Sequence, residues 1–229
     1  MIKYFTIEDL LKHYLQKKFH ILLYLIFDYP HKHYTFKHFE APDVRPETAE
    51  FLALLREQTE RLTQMIRTLL EMSNLRQVAR NEQIQLAPMI EEIFTDLAPL
   101  SDKRGVTLTA EGDGFLTGSD ALIYRLIFNL TENAVKYNRP GGSVRVSVTQ
   151  APEKLLLRVS DTGYGIPGEY QRSIFQPFFR IDKSRSREYG GAGLGLSLVW
   201  EITDLHGGSV RVEESSENGT VIAVELPIQ

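Results

Sequence analysis

The sequence predicts an α+β protein, a helical segment followed by a sandwich with helices on one face of a mixed sheet. Three observations carry this reading. Phe51, Leu54, Leu55, Gln58, Leu62, Met65, Ile66, Leu69, Leu70 and Met72 recur at three-and-four spacing, the stripe of an amphipathic helix. Farther on, Val144, Val146 and Val148 alternate, as do Leu155, Leu157 and Val159, the period of half-buried strands. Helical stretches with clear stop signals interleave with those strands, as layered α+β domains require.

Composition narrows the class. The chain has 229 residues, 42% of them apolar and 24% charged, which fits one or two soluble globular domains rather than a disordered or membrane protein. A net charge of −4 gives no reason to expect nucleic acid or an acidic membrane surface as a partner. The absence of cysteine excludes a disulfide framework and fits a reducing, cytoplasmic compartment. The longest apolar run, Ile21 to Phe27, is too short to span a bilayer. Residues 1–44 hold six of the ten lysines, five of the six histidines and no arginine, whereas residues 45–229 hold all sixteen arginines. Either a segment of foreign origin or reading frame, or a lysine-rich solvated helix, accounts for that shift.

In chain order, residues 6–29 read as a helix that Thr6 caps and Pro30 stops. Residues 30–46, with three prolines and three histidines, read as a connector. The amphipathic stripe then predicts a helix over 47–80, ~50 Å long at about 1.5 Å per residue. Such a helix cannot enclose a core alone, which predicts a helical hairpin that forms a four-helix bundle as a homodimer. After a polar linker, Ile84–Leu86 reads as a strand, and Pro88 opens a helix that Gly105 ends. Val106–Ala110 reads as a strand. Ser119 or Asp120 caps a helix reaching Tyr137, and Asn138-Arg-Pro-Gly-Gly stops it. Leu196 onward is helical in pattern, and Glu217-Asn-Gly-Thr220 separates two final strands as a hairpin.

Four groups of residues bear chemistry. Asp161 continues the parity of Leu155, Leu157 and Val159, so it projects from the buried face at a strand end and needs a donor there. The exocyclic amine of a purine is one such donor; backbone N–H groups of the Gly163–Gly165 turn are another. Asn129, Asn133, Lys136 and Tyr137 share one helix stripe. Amide oxygens suit Mg²⁺ and a lysine suits phosphate, although a solvated polar face has the same pattern. Gly191, Gly193 and Gly195 lead into a helix, baring N–H groups to an anion or else forming a flexible linker. Between the glycine clusters lie Arg180, Lys183, Arg185 and Arg187; all but Arg180 read as solvated. The string follows no strand of a βαβ unit and lacks a Lys-Ser/Thr ending, so Rossmann and P-loop readings fail.

Taken in order, these blocks resemble the catalytic domain of bacterial sensor histidine kinases, within the wider ATPase group that includes gyrase and MutL. Asn129-Leu-Thr-Glu-Asn-Ala-Val-Lys-Tyr-Asn138 resembles the N box of that family, and Asp161-Thr-Gly-Tyr-Gly-Ile-Pro167 its G1 box. Phe175 to Arg180 resembles the F box and Gly191-Ala-Gly-Leu-Gly-Leu196 the G2 box. The resemblance covers residues 81–229 and implies a Bergerat-type ATP-binding sandwich with ATP and Mg²⁺ as ligands. By position, Asp161 would bind the adenine amine, and Asn133, with Asn129 beside it, would ligate Mg²⁺. Lys136 and Arg180 would contact phosphates and Tyr137 would line the base. Gly163, Gly165 and Ile166 belong to the G1 turn, and Gly191, Gly193, Leu194 and Gly195 to the hinge of a lid.

Residues 47–76 resemble the second helix of the dimerisation and phosphotransfer hairpin in the same family, through Arg61 to Ser73. The resemblance implies a homodimer, a phospho-accepting histidine and the receiver domain of a response regulator as partner. Here the chain departs from the family. The acceptor belongs near residue 20, yet His20 is followed by Ile21 rather than an acid. A packed or solvated histidine competes with the acceptor reading, and residues 1–46 form an atypical first segment.

Overall fold

The computed structural model describes residues 74–181 and 193–228, together with Thr59, Thr63 and Ile66. Those three residues are helical, and Thr63 Oγ1 donates to the Thr59 carbonyl at 2.8 Å. The expected helix over 47–80 does not run to Arg80: a 3₁₀ turn occupies Leu75–Gln77, and an extended Val78 ends it. Leu75 is buried in the core, and Arg76 approaches Glu201 at 4.0 Å. The readings of residues 1–46, His20 included, lie outside the described residues.

A small antiparallel pair comes first, β1 (Glu82–Gln85) with β3 (Phe115–Gly118). Strand β1 begins two residues before the expected Ile84, and Leu86 already belongs to the following helix. Strand β3 has no counterpart in the sequence reading, because four residues, the last a glycine, are too few for a period to register. Helix α1 (Leu86–Arg104) buries Leu86, Met89, Ile90, Ile93 and Leu97, and Gly105 ends it as expected. Strand β2 (Thr107–Glu111) follows. Helix α2 (Asp120–Lys136) buries Leu122, Ile123, Leu126, Ile127, Leu130 and Ala134 along one side.

The main sheet has five strands in the order β2-β4-β5-β7-β6, where β4 is Ser143–Gln150, β5 Lys154–Asp161, β6 Ser209–Ser216 and β7 Gly219–Pro227. Strands β2 and β4 are parallel, joined through α2; the remaining pairs are antiparallel. The last hairpin turns over Glu217 and Asn218, shorter than the four-residue separation the sequence suggests. Val144, Val146, Val148, Leu155, Leu157 and Val159 are all buried, meeting α1, α2 and α3 (Gly195–Leu205) in one continuous core. Their alternation forces Arg145, Arg158 and Ser160 to the opposite face, where Arg158 and Arg211 pair with Glu213.

The starts of α1 and α2 are satisfied by side chains from distant elements. No side chain of its own caps α1; Asp113 Oδ1 instead accepts the Ala87 N–H at 3.0 Å. Ser119 stands at the N-cap position of α2 as expected, yet its hydroxyl makes no capping bond. Glu82 Oε2 accepts the Asp120 N–H at 2.7 Å, and His206 Nε2 accepts the Ser119 N–H at 3.3 Å. The Ile202 carbonyl lies 2.8 Å from His206 Nδ1. A carbonyl can only accept, so Nδ1 carries the proton and Nε2 is the free acceptor.

Two expectations follow. Glu82→Ala removes the acceptor at the start of α2 and costs about 1 kcal/mol, as loss of a cap does, read from the urea midpoint. Burial holds the His206 imidazole below its ordinary value; the Ile202 bond opposes this and the Arg80 charge adds to it. A histidine kept neutral in the fold contributes stability that is present at neutral pH and lost on acidification below the ordinary value of 6.5. Thermal melts between pH 8 and about pH 5 will therefore fall more steeply for the wild type than for His206→Gln.

Candidate functional site

Strand β5 ends where the sheet meets α2. Its register pairs Asp161 with Val144 on β4 and with Thr220 on β7, placing the carboxylate on the same face as Leu155, Leu157 and Val159. The parity reading is thus the one observed. Oδ1 accepts the Gly163 N–H at 2.8 Å and the Thr220 N–H at 3.2 Å. Among the described residues, none places a donor on Oδ2. Of the two sequence readings, the backbone one is seen directly: one oxygen serves the Gly163 turn, and the other has no donor among the described residues. Burial pushes the Asp161 carboxyl above its ordinary value, and the Gly163 and Thr220 bonds oppose that shift.

Helix α2 presents Asn129, Asn133 and Lys136 half-buried, with Tyr137 exposed at its end. Asn129 Nδ2 donates to the Arg125 carbonyl at 2.7 Å, which leaves its amide oxygen turned outward. The N-terminus of α3 lies directly opposite. A Cβ added to Gly195 would stand 3.0 Å from Asn129 Oδ1 and 3.6 Å from Asn133 Nδ2. Leu194 at its N-cap supplies no side-chain cap, and its first turn holds no acid. Its N–H groups and the positive end of its dipole therefore face the asparagine stripe. Lys136 Nζ sits 2.7 Å from Glu132 Oε1, so a phosphate would have to share this ammonium with a carboxylate.

The glycines divide into two sorts. Gly163 and Gly165 are dictated by the chain itself. A Cβ on Gly163 would meet the Tyr137 carbonyl at 2.5 Å, and Gly165, at φ +72°, has the Ser216 carbonyl 1.9 Å from that position. The turn is clamped between the end of α2 and the end of β6, and Ile166 N–H adds a bond to Ser215 Oγ at 2.7 Å. Glycine is required in this turn because its backbone approaches its own protein. Gly193, at φ +71°, also meets its own protein, with the Phe178 and Phe179 backbone 3.0 Å from a Cβ placed there, whereas Gly195 faces the asparagine side chains. Phe178 N–H donates to the Gly193 carbonyl at 2.8 Å, so the Phe178–Arg180 segment runs along the entry to α3. Phe178 takes φ +64° with its ring half exposed, a costly conformation for a non-glycine residue. Leu194 is buried and anchors the first turn of α3; Arg180 is half-buried at the end of the strap. Gly191, Lys183, Arg185 and Arg187 lie outside the described residues.

Sequence reasoning missed two residues. Thr220 brings its N–H to Asp161 and, buried, its hydroxyl to 3.1 Å from Ser215 Oγ. Asn138, seen only as a helix stop, is 3% exposed and bonded on both sides of its amide. A buried Asn at a helix end is a signal the sequence carries; the role of Thr220 depends on a strand pairing it does not.

An adenine nucleotide fits this donor set. Asp161 Oδ2 can accept the exocyclic amine, and the open helix start can accept phosphate. No three His, Cys, Asp or Glu side chains gather among the described residues. A metal here would take amide oxygens from Asn129 and Asn133 and complete its shell with phosphate and water, as Mg²⁺ does.

An inward acid at a strand end and an asparagine stripe facing a helix start are compatible with a nucleotide-binding domain. Residues 118–229 match the model of the family described as histidine kinase-, DNA gyrase B- and HSP90-like ATPase. Sensor histidine kinase RppB of Synechocystis sp. is 33% identical over 189 residues, spanning 80% of this chain and 42% of RppB. The solved mycobacterial sensor histidine kinase MprB aligns with 64% of this chain and 97% of its own, at TM-score 0.55 and 28% identity. Histidine kinase ThkA, solved in complex with response regulator protein TrrA, shares the fold over 96% of this chain and 60% of its own, at TM-score 0.65 and 23% identity. Residues 118–229 thus belong to this ATPase family and are of its histidine kinase type. The chain spans less than half the length of the first curated relatives it matches.

Asp161→Asn retains the oxygen that accepts from Gly163 and Thr220 while removing the buried charge. Because the folded-state value is raised, the wild type is most stable when this carboxyl is protonated and loses that stability as pH rises through it. The variant should melt at or above the wild-type temperature at neutral pH, with the gap closing on acidification. Calorimetry should also show its ATP affinity reduced at least about a hundredfold, since the amide opposes the adenine amine donor to donor.

Proposed function

We propose that this chain is the ATP-binding core of a protein histidine kinase in a two-component system. It would bind Mg·ATP and transfer the γ-phosphoryl to a histidine, from which it passes to the receiver domain of a response regulator. The observation that carries this reading is the Asp161 carboxylate, with one oxygen committed to Gly163 and Thr220 and the other without a described donor. It stands on the same sheet edge that packs against the asparagine helix.

Each residue then has a task. Asp161 holds the adenine amine and Tyr137 lines the base. Asn133, with Asn129 beside it, holds Mg²⁺, which neutralises phosphate charge when bound. The N–H groups of Gly195 and the next residues meet the phosphates, with Lys136 and Arg180 adding charge. Gly191–Gly195 act as the hinge of a lid. Phosphoryl transfer asks little covalent work of the protein, so rate comes from positioning and charge neutralisation.

The sensor histidine kinases among the relatives and the response regulator in the ThkA structure support the partner and the pathway class. We assign residues 81–229 to the catalytic domain, residues 47–80 to a helix that pairs the chain as a homodimer, and residues 1–46 to an atypical segment. No helix among the described residues is long and apolar enough to cross a membrane, and the site would work in the cytoplasm, where ATP is available. A second reading, a nucleotide-binding scaffold that does not phosphorylate itself, is favoured by one observation: His20 is followed by Ile21 where the family carries an acid.

Incubation with γ-labelled ATP separates the two. The kinase reading expects acid-labile, base-stable label on the protein, abolished in Asp161→Asn. ATP binding without such label would establish the scaffold instead.

A further inference from the structure

Behind the candidate site, three segments meet through one amide and one hydroxyl. Asn138 follows the end of α2, Ser143 begins β4, and Thr162 directly follows Asp161. Asn138 Nδ2 donates to the Ser143 carbonyl at 3.0 Å. Thr162 Oγ1 donates to Asn138 Oδ1 at 3.1 Å and accepts the Ser143 N–H at 2.9 Å. The Thr162 N–H reaches the same Ser143 carbonyl at 3.2 Å, and Asn138 Oδ1 also accepts the Arg139 N–H at 2.9 Å. Every bond of the Asn138 side chain goes to the protein, so this amide is not a ligand group.

Its space is reserved. A Cβ on Gly142 would stand 2.2 Å from Asn138 Oδ1 and 2.6 Å from Thr162 Oγ1, so only glycine leaves room for the junction. The α2 stripe and Asp161, the last residue of β5, arise from elements separated by β4. This junction, together with the Tyr164 N–H bond to the Tyr137 carbonyl at 3.4 Å, ties the end of α2 to the residues that follow Asp161. Thr162 directly follows Asp161, so the bonds that its N–H and hydroxyl make to Ser143 also hold the backbone on the C-terminal side of Asp161.

We propose that Asn138 and Thr162 are positioning residues that set the aim of Asp161 relative to α2, and thereby the preference for adenine over guanine nucleotides. Guanine offers an oxo group where adenine offers an amine, so discrimination depends on where the carboxylate oxygen points. A junction that merely closed the 138–143 loop would affect stability alone. The proposal rests on the nucleotide reading of the site.

The test is calorimetric titration of the full chain with Mg·ATP and Mg·GTP, alongside thermal melts. Thr162→Val keeps the shape and removes the hydroxyl; Thr162→Ser restores it. Because the hydroxyl's bonds are lost while the fold stays, the ATP-over-GTP affinity ratio should fall roughly threefold to thirtyfold in Thr162→Val. It should return towards wild type in Thr162→Ser. Asn138→Ala should lower the ratio similarly, and the double variant should fall no further than the larger single effect, because both residues act through one junction. A Thr162→Val ratio equal to that of the wild type, whatever its melting temperature, overturns the proposal while leaving the nucleotide site intact. Failure of the wild type to bind ATP, or unchanged binding in Asp161→Asn, removes the nucleotide reading and the proposal with it.

Discussion

A carboxylate at the inner edge of a sheet is a costly group to bury, and the domain is built so that Asp161 can remain there. Two backbone N–H groups, from Gly163 two residues ahead and from Thr220 on the neighbouring strand, share one of its oxygens. Burial still raises its pKa, which means the fold retains some cost of desolvation rather than eliminating it. Full satisfaction would have required a further donor on Oδ2, and such a donor would have closed the place where a ligand amine can bind. Strain of this kind, kept at one residue and tolerated by a well-packed surround, is expected of functional positions.

The surround is what makes that tolerance possible. The inner faces of β4, β5 and β7 pack with α1, α2 and α3 into a single core, so the position of α2 over the sheet is set by many apolar contacts at once. Helix starts are then tied down by long-range acceptors: Asp113 for α1, Glu82 and His206 for α2. The start of α3 is the exception, with no capping side chain. Three helices packed on one sheet, two capped from elsewhere and one left open toward the asparagine stripe, amount to a division between scaffold and site. That dipole end is attractive to an anion, and among the described residues no side chain is seen to cap it.

Much of the site was legible because its residues announce themselves by direction along their own element. A period of two placed Asp161 inward, and spacing of four placed Asn129 and Asn133 together on one helix face. Both inferences concern geometry that a strand or helix imposes on its own side chains, and both hold in the structure. The glycines were less transparent. Sequence shows only that Cβ is missing, and not whether the space left is filled by ligand or by protein; for Gly163 and Gly165 the Tyr137 and Ser216 carbonyls fill it. Strand β3 was invisible for a different reason, since four residues at the edge of a two-stranded pair leave no alternation to read.

The sequence by itself determined which residues are polar where burial is expected, and therefore that Asp161, the α2 asparagines and a glycine-led helix needed a common explanation. Tertiary structure alone decided how they are shared out: which Asp161 oxygen is already committed, that Lys136 is paired with Glu132, and that Asn138 serves the frame. The physical reason is distance along the chain. Thr220 lies 59 residues from Asp161 and His206 lies 87 from Ser119, and no local period encodes a hydrogen bond across such separations. Only closure of the sheet and docking of the helices bring those donors and acceptors into range, and with them the choice of which polar atoms are left for a ligand.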